Sequence, residues 1–351
     1  MSAPSNEMES GAEPCWMTHP SPGGRIGAVG VSRTLSAGDP PLVIARRRAA
    51  RGLLGYLGGD DLPEGLDKRL REMAERGGTA ELAGRVVRFA APFERKGYLY
   101  AHAVLGGKPL DRSWRSPCPD RTAVAPGDCR PAWICTPVQG DHVGVLGVSF
   151  RAATRPRQFE LAANNAVKLL EYTLGVQVEG AERFLRAPTA AGTIRLRTSE
   201  FDIEKSGGVT KDIRLYTKQL RIQGDVLYVW LVSPDLPPYP APEDLDWMRE
   251  PSPEGMNGAV GMSIRTADGL LSTQIERAFE KGIFALAKNR GAHIESIQHL
   301  RHGGGGRYYL EGVTSEVDTS LRARLLGFHP RPDGRVFVWV VEAGPASRAQ
   351  R

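Results

Sequence analysis

The sequence predicts an α+β protein of three tandem strand-helix-strand-strand units, each a helix packed on a small antiparallel sheet, and three observations carry that expectation. Trp16, Trp133 and Trp247 each have a proline four residues on (Pro20, Pro137, Pro251), a glycine fourteen on (Gly30, Gly147, Gly261) and a serine sixteen on (Ser32, Ser149, Ser263). After each serine, small or apolar residues recur at every fourth position, as Ala45, Ala49, Leu53, then Ala162, Ala166, Leu170, then Ala278, Gly282, Leu286. That spacing is one face of a helix. Each copy then closes with a short turn (Lys96-Gly97, Gly224-Asp225 or Pro332-Asp333-Gly334) and an apolar strand, YLYAHAVL, VLYVWLV or VFVWVV.

Taken in order, residues 1–13 read as a disordered tail and 14–106 as the first and most divergent unit. The first unit carries an insert, GGDDLPEGLDKRLREMAERGG, in which Leu66, Leu70 and Met73 share one face of an extra short helix. Residues 107–130, with four prolines and no periodicity, read as a linker. The second unit spans 131–234, a second proline-rich linker spans 235–245, the third unit spans 246–343, and 344–351 is a tail. Ser206-Gly207-Gly208 is expected to be a mobile tip. In length each unit suffices to bury its own core.

The recurrent residues have physical reasons. Tryptophan followed by proline supplies a large anchor and a bend at the entry to the first strand. Glycine inside a strand costs stability, so its recurrence at 30, 147 and 261 predicts close approach of another backbone, most simply the following helix. The serine two residues later lies on the same strand face, with a hydrogen bond near the helix start as its expected task. The closing strands place Tyr100 with His102, Tyr228 with Trp230, and Phe337 with Trp339 on one face, as core rather than as a ligand platform.

Nothing in the pattern points to a catalytic or cofactor site. GAVGVS and GVLGVS keep their glycines in a strand rather than in a turn that opens a helix, there is no GxxxxGK[ST], and no serine stands in GxSxG. The recurrent serines bring no recurrent histidine or acid to activate them. His299 and His302 have a spacing that ligates metal on a helix, without a third ligand nearby, so no metal and no cofactor are expected. Cys118 and Cys129 share the first linker, where they are either a disulfide closing a small loop in an oxidising compartment or unpaired thiols.

The net charge is +6, and its basic excess falls in 14–106 and 131–234 while 246–343 is balanced. Its densest point, Arg46, Arg47, Arg48 and Arg51, is either a solvated helix face or a patch for an anionic partner. Because the cluster belongs to one copy, nucleic acid is an unlikely partner. No run approaches eighteen apolar residues, so no transmembrane helix is expected. The first residues lack a positive n-region and an apolar h-region, which leaves a cytoplasmic chain or a signal lying upstream.

Trp-x-x-x-Pro, a strand ending in Gly-x-x-Gly-x-Ser, a helix with alanine at every fourth position and a final aromatic-rich hairpin together resemble the twenty-kilodalton bacterial surface lipoprotein family. That family is related to proteins of outer-membrane disks and rings around the flagellar motor. The match is best over 131–234, fair over 246–343 and weak over 14–106. The resemblance implies a non-enzymatic structural or scaffold protein of the bacterial envelope, in the periplasm or associated with the outer membrane, with protein partners that include copies of itself and no small-molecule substrate. The rival reading is a binding module that holds a peptide, glycan or acidic polymer in grooves between repeats.

Overall fold

The computed structural model describes residues 13–36, 38–59, 61–109, 118, 129–139, 142–189, 192–205, 213–236, 246–252, 256–303 and 306–343. Most of both expected linkers and tails, and Ser206-Gly207-Gly208, lie outside the described residues. The described residues form a mixed α/β structure of four α-helices and several small antiparallel sheets. In chain order the elements are β1 (Gly27–Arg33), α1 (Pro41–Leu57), α2 (Leu66–Glu72), β2 (Gly78–Leu82), β3 (Arg85–Phe89), β4 (Phe93–Arg95), β5 (Tyr98–Leu105) and β6 (Val138–Gln139). They continue as β7 (His142–Ser149), α3 (Arg155–Leu174), β8 (Val176–Thr189), β9 (Gly192–Lys205), β10 (Tyr216–Gln223), β11 (Val226–Ser233), β12 (Gly258–Ser263), α4 (Leu271–Gly291), β13 (His293–Gly303), β14 (Gly306–Leu321), β15 (Ala323–Pro330) and β16 (Val336–Glu342).

The chain divides into two compact units, one gathering Met1–Asp128, His142–Ala166 and Lys211–Leu236, the other Cys129–Asp141, Val167–Thr210 and Pro237–Arg351. In the first, a sheet runs β1-β5-β3-β2 with β4 also on β5, and β10-β11-β7 form a second. Helix α1 begins on Pro41, where a missing N–H costs nothing, and ends at Gly58 in the left-handed conformation (φ 74°). Its Ala49, Ala50, Leu53 and Leu54 join Ala28, Val87, Phe89 and Ala103 of the sheet in one core. Leu66 and Leu70 of α2 complete that core, so the insert covers its own domain.

In the second unit, α4 packs on the sheet β12-β16-β15 and also touches β14 and β8. The small residues of the helix, Ala278 and Gly282, face the sheet as their spacing predicts; at Gly282 a Cβ would overlap the side chain of Val340. The other sheet runs β13-β14-β8-β9, antiparallel throughout. Phe201 of β9 stacks on Phe284 of α4 at 4.8 Å, and Tyr172 meets Phe279 edge-on at 5.2 Å. Lys288 of α4 pairs with Glu182 of β8 at 2.7 Å.

This sheet departs from the expected pattern. After each of α3 and α4 come four strands rather than two, because a long hairpin (β8–β9 or β13–β14) precedes the closing hairpin. The β8–β9 hairpin carries no two-residue turn signal, whereas the four glycines 303–306 mark a loop between two strands without fixing how far either extends. His299 and His302 lie in β13, where a three-residue separation falls on opposite faces of the strand; the helical metal spacing does not exist there.

Candidate functional site

Each recurrent glycine meets the backbone of the helix that follows it. A Cβ at Gly30 would overlap the carbonyl oxygen of Ala45, at Gly147 that of Ala162, and at Gly261 that of Ala278. The three glycines sit opposite Ala101, Val229 and Val338 respectively in their sheets. The recurrent serines are buried, and Ser32, Ser149 and Ser263 each donate their hydroxyl to the carbonyl of the next residue, at 3.2, 3.0 and 3.0 Å. These bonds satisfy the buried hydroxyl at the end of the strand and cap no helix.

Trp16 and Trp133 open their motifs from buried positions, and Trp247 is half-buried. Trp16 lies in a short 3-10 turn (Cys15–Met17) and stacks on His102, with ring centres 5.4 Å apart; Trp247 stacks on Trp339 at 6.3 Å. His102 Nε2 donates to the Pro20 carbonyl at 2.7 Å, and Trp339 Nε1 donates to the Pro251 carbonyl at 2.8 Å. Histidine and tryptophan thus do one task at matching strand positions. Ser21 and Ser252, each after its proline, exchange hydrogen bonds with both backbone groups of Gly27 and Gly258. Trp133 is 2% exposed and is likewise held in a 3-10 turn, Ala132–Ile134.

Burial sets the electrostatics here. Desolvation pushes the His102 pKa down to about 4, against a smaller upward pull from the Pro20 carbonyl. Its Nδ1 is buried without a hydrogen-bond partner among the described residues.

Two residues past the tryptophan, the chain meets another strand. Within the first unit the Thr18 carbonyl accepts from the N–H of Leu220 in β10 at 2.7 Å; within the second, the Cys135 carbonyl accepts from the N–H of Phe328 in β15 at 2.7 Å. The two donors match in register: Leu220 lies opposite Val229 and Phe328 opposite Val338. Each comes one residue after an irregularity in pairing, between Thr217 and Gln219 or between Leu325 and Gly327. In the first sheet Phe93 lies opposite Tyr100, as Arg221 lies opposite Tyr228, so the matching residue is Pro92, which has no N–H to donate. Composition and spacing contain no sign of these bonds, since each donor lies roughly two hundred residues from its acceptor.

The arginine cluster is split between buried and exposed positions. Arg46 is 1% exposed, and its guanidinium donates to the carbonyls of Met73 (3.1 Å), Ala74 (2.7 Å) and Glu75 (3.1 Å), closing the end of α2. Desolvation holds its pKa below the ordinary arginine value. Arg47 pairs with Asp67 at 2.6 Å and Asp39 at 2.7 Å, and Arg48 donates to the Val31 carbonyl at 2.5 Å. Arg48 and Arg51 are exposed.

The cysteines pair otherwise than the linker suggested. Cys118 joins Cys15 and Cys129 joins Cys135, so both disulfides tie linker residues to a tryptophan turn. The expected Cys118–Cys129 loop is absent because the fold brings Cys15, 103 residues away in sequence, against Cys118. His19 Nδ1 lies 3.1 Å from Cys118 Sγ, and Cys15, His19 and Cys118 have the geometry of a three-ligand group. With both sulfurs in a disulfide they offer no thiolate to a metal.

The second unit also holds an open depression lined by Glu179, Glu200, Asp202, Glu316 and Asp318. Among the described residues no helix is long and apolar enough to cross a membrane. Comparison with protein-family models, with curated proteins and with solved structures gives no match for this chain.

Proposed function

We propose that this chain is a non-enzymatic structural or scaffold protein of the bacterial envelope, built from three tandem copies of one unit and assembling with copies of itself. The observation that carries the reading is what the recurrent residues do. Gly30, Gly147 and Gly261 admit a helix backbone, Ser32, Ser149 and Ser263 satisfy a strand end, and the tryptophan turns pack on the sheets, so the shared residues serve packing and docking. The Thr18–Leu220 and Cys135–Phe328 bonds extend this from one motif to the next, since in each case a tryptophan turn engages the edge strand belonging to the following copy.

The resemblance to surface lipoproteins and to flagellar disk and ring proteins supplies the envelope location. Two disulfides and the absence of a free thiol among the four cysteines support an oxidising compartment. Sedimentation velocity of the full chain, purified without reductant, tests the reading. A concentration-dependent multimer is expected; a monomer at every concentration up to the solubility limit would overturn self-assembly.

A further inference from the structure

Sheet edges are sites of unwanted pairing, and proteins blunt them with short strands, prolines, bulges or covering segments. Three edges of this protein are treated that way. β4 is three residues long and follows Pro92; β10 receives Thr18 beside its bulge; β15 receives Cys135 beside its bulge and ends on Pro330. β9 and β13 carry charged residues, among them Arg195, Glu200 and Asp202 on β9 and Glu295 on β13, but they present edges of 14 and 11 residues with no proline, and their registers with β8 and β14 run without a bulge. Among the described residues no strand pairs with the outer side of either.

The two edges also fit each other. The sheet has four strands with antiparallel neighbours, so β9 runs opposite to β13. Set beside a second copy in the same orientation, β9 of one meets β13 of the next as an antiparallel pair, and the contact repeats without a change of hand. An odd number of strands would give a parallel seam. Register also places Leu196, Leu185, Gly312 and Ile297 in one row on one face of the sheet, from one edge to the other. A neighbouring copy would continue that row, Ile297 beside Leu196, which leaves neither apolar end at an open edge. On β9 and β8, uncharged positions on this face extend from Thr198 to the turn and from Leu185 to the turn. The β8 run is shorter than the 9–11 residues a membrane-crossing strand needs, so a second copy of the chain suits these edges better than lipid.

We infer that β9 and β13 are the two halves of one seam between copies of this chain, β9 of each copy pairing antiparallel with β13 of the next. The inference rests on the scaffold reading and names the surface through which the scaffold grows. A head-to-tail contact of this kind closes into a ring if the rotation between copies allows and otherwise extends as a filament.

The test is photo-cross-linking of the full chain with p-benzoylphenylalanine in place of Thr198, an exposed position of β9, followed by peptide mapping and sedimentation of the same sample. The expected product joins Thr198 to residues 293–303 of another copy. A multimer whose cross-links miss 293–303 overturns the seam and leaves the scaffold reading standing; a monomer overturns both. The same irradiation with phosphatidylglycerol–phosphatidylethanolamine vesicles that labels lipid and gives no 293–303 adduct overturns the seam in favour of a membrane. A second variant, Ile297→Lys, sets a charge at the seam and is expected to lose assembly with its circular dichroism spectrum unchanged. Assembly equal to the parent chain at unchanged fold would contradict the inference.

Discussion

The backbone carbonyl of Cys135 accepts a hydrogen bond from the N–H of Phe328 at 2.7 Å, and it does so two residues past Trp133, as the carbonyl of Thr18 does from Leu220 two residues past Trp16. Both donors are outward N–H groups of edge strands, so a proline at either position spares the sheet ladder and deletes this bond alone. Leu220→Pro is expected to destabilise by about 2–5 kcal/mol, from the lost bond, the stranded carbonyl and the lost side-chain volume. Pro92→Leu, at the matching position of the first sheet, has no such bond to gain and should shift stability by less than about 0.5 kcal/mol. Urea denaturation of the two variants checks the pair; an unchanged midpoint for Leu220→Pro would refute the role of the bond.

The glycine contacts give a prediction that spans both units. Gly30→Ala, Gly147→Ala and Gly261→Ala each drive a methyl group into a helix carbonyl, a cost of about 1–3 kcal/mol or more wherever the helix cannot move away. Gly84→Ala and Gly291→Ala, where nothing lies within 4 Å, serve as controls. Gly84 has φ +70°, so its control carries a backbone penalty of its own, and Gly291 is the cleaner comparison. Thermal unfolding should separate the three recurrent glycines from Gly291.

Arg46 and Arg51 should behave oppositely despite equal charge. Removing Arg46 leaves the part-buried carbonyls of Met73, Ala74 and Glu75 without their donor, so Arg46→Met should destabilise by about 1–3 kcal/mol. Arg46→Lys should recover little of it, because an ammonium cannot span the carbonyls as a planar fork does. Arg51→Ala should stay within about 0.5 kcal/mol. Loss of an anionic partner from Arg51→Ala would revive the patch reading.

His102 makes stability depend on pH. Its pKa is about 4 in the fold against an ordinary 6.5, so between these values the unfolded chain binds a proton that the folded chain does not. Stability from this group is whole above pH 6.5 and falls as pH drops toward 4, by on the order of 3 kcal/mol in all. His102→Trp, which copies Trp339 and keeps a ring N–H for the Pro20 carbonyl, should flatten the dependence over that window. A slope between pH 6.5 and 4 equal to that of the parent chain would contradict the assignment.

The sequence made the glycine contacts legible because a glycine inside a strand has a known cost and therefore needs a neighbour. The helices α1, α3 and α4, the closing hairpins and their turns were legible from periodicity for a similar reason: side chains that face a core must recur at the period of the element. Arg46 was not, since the carbonyls that hold it come 27–29 residues later and a buried arginine looks in sequence like an exposed one. Cys15 was not matched to Cys118, because proximity along the chain favoured Cys129 and only the fold brings position 15 near. The long hairpin β8–β9 was missed because its strands mix apolar and charged residues, as a solvated segment also does, whereas the four glycines 303–306 marked a loop between strands at β13–β14 without showing how far those strands run. Their use in a sheet depends on strands supplied by a distant part of the chain.

The measurement that tests the account most directly is fractionation of the native cells with thiols trapped by a maleimide before lysis. The chain should be recovered with the envelope and take up no label, with Cys15–Cys118 and Cys129–Cys135 found as intact pairs by peptide mapping. Recovery in the soluble cytoplasmic fraction with all four cysteines labelled would contradict an envelope scaffold.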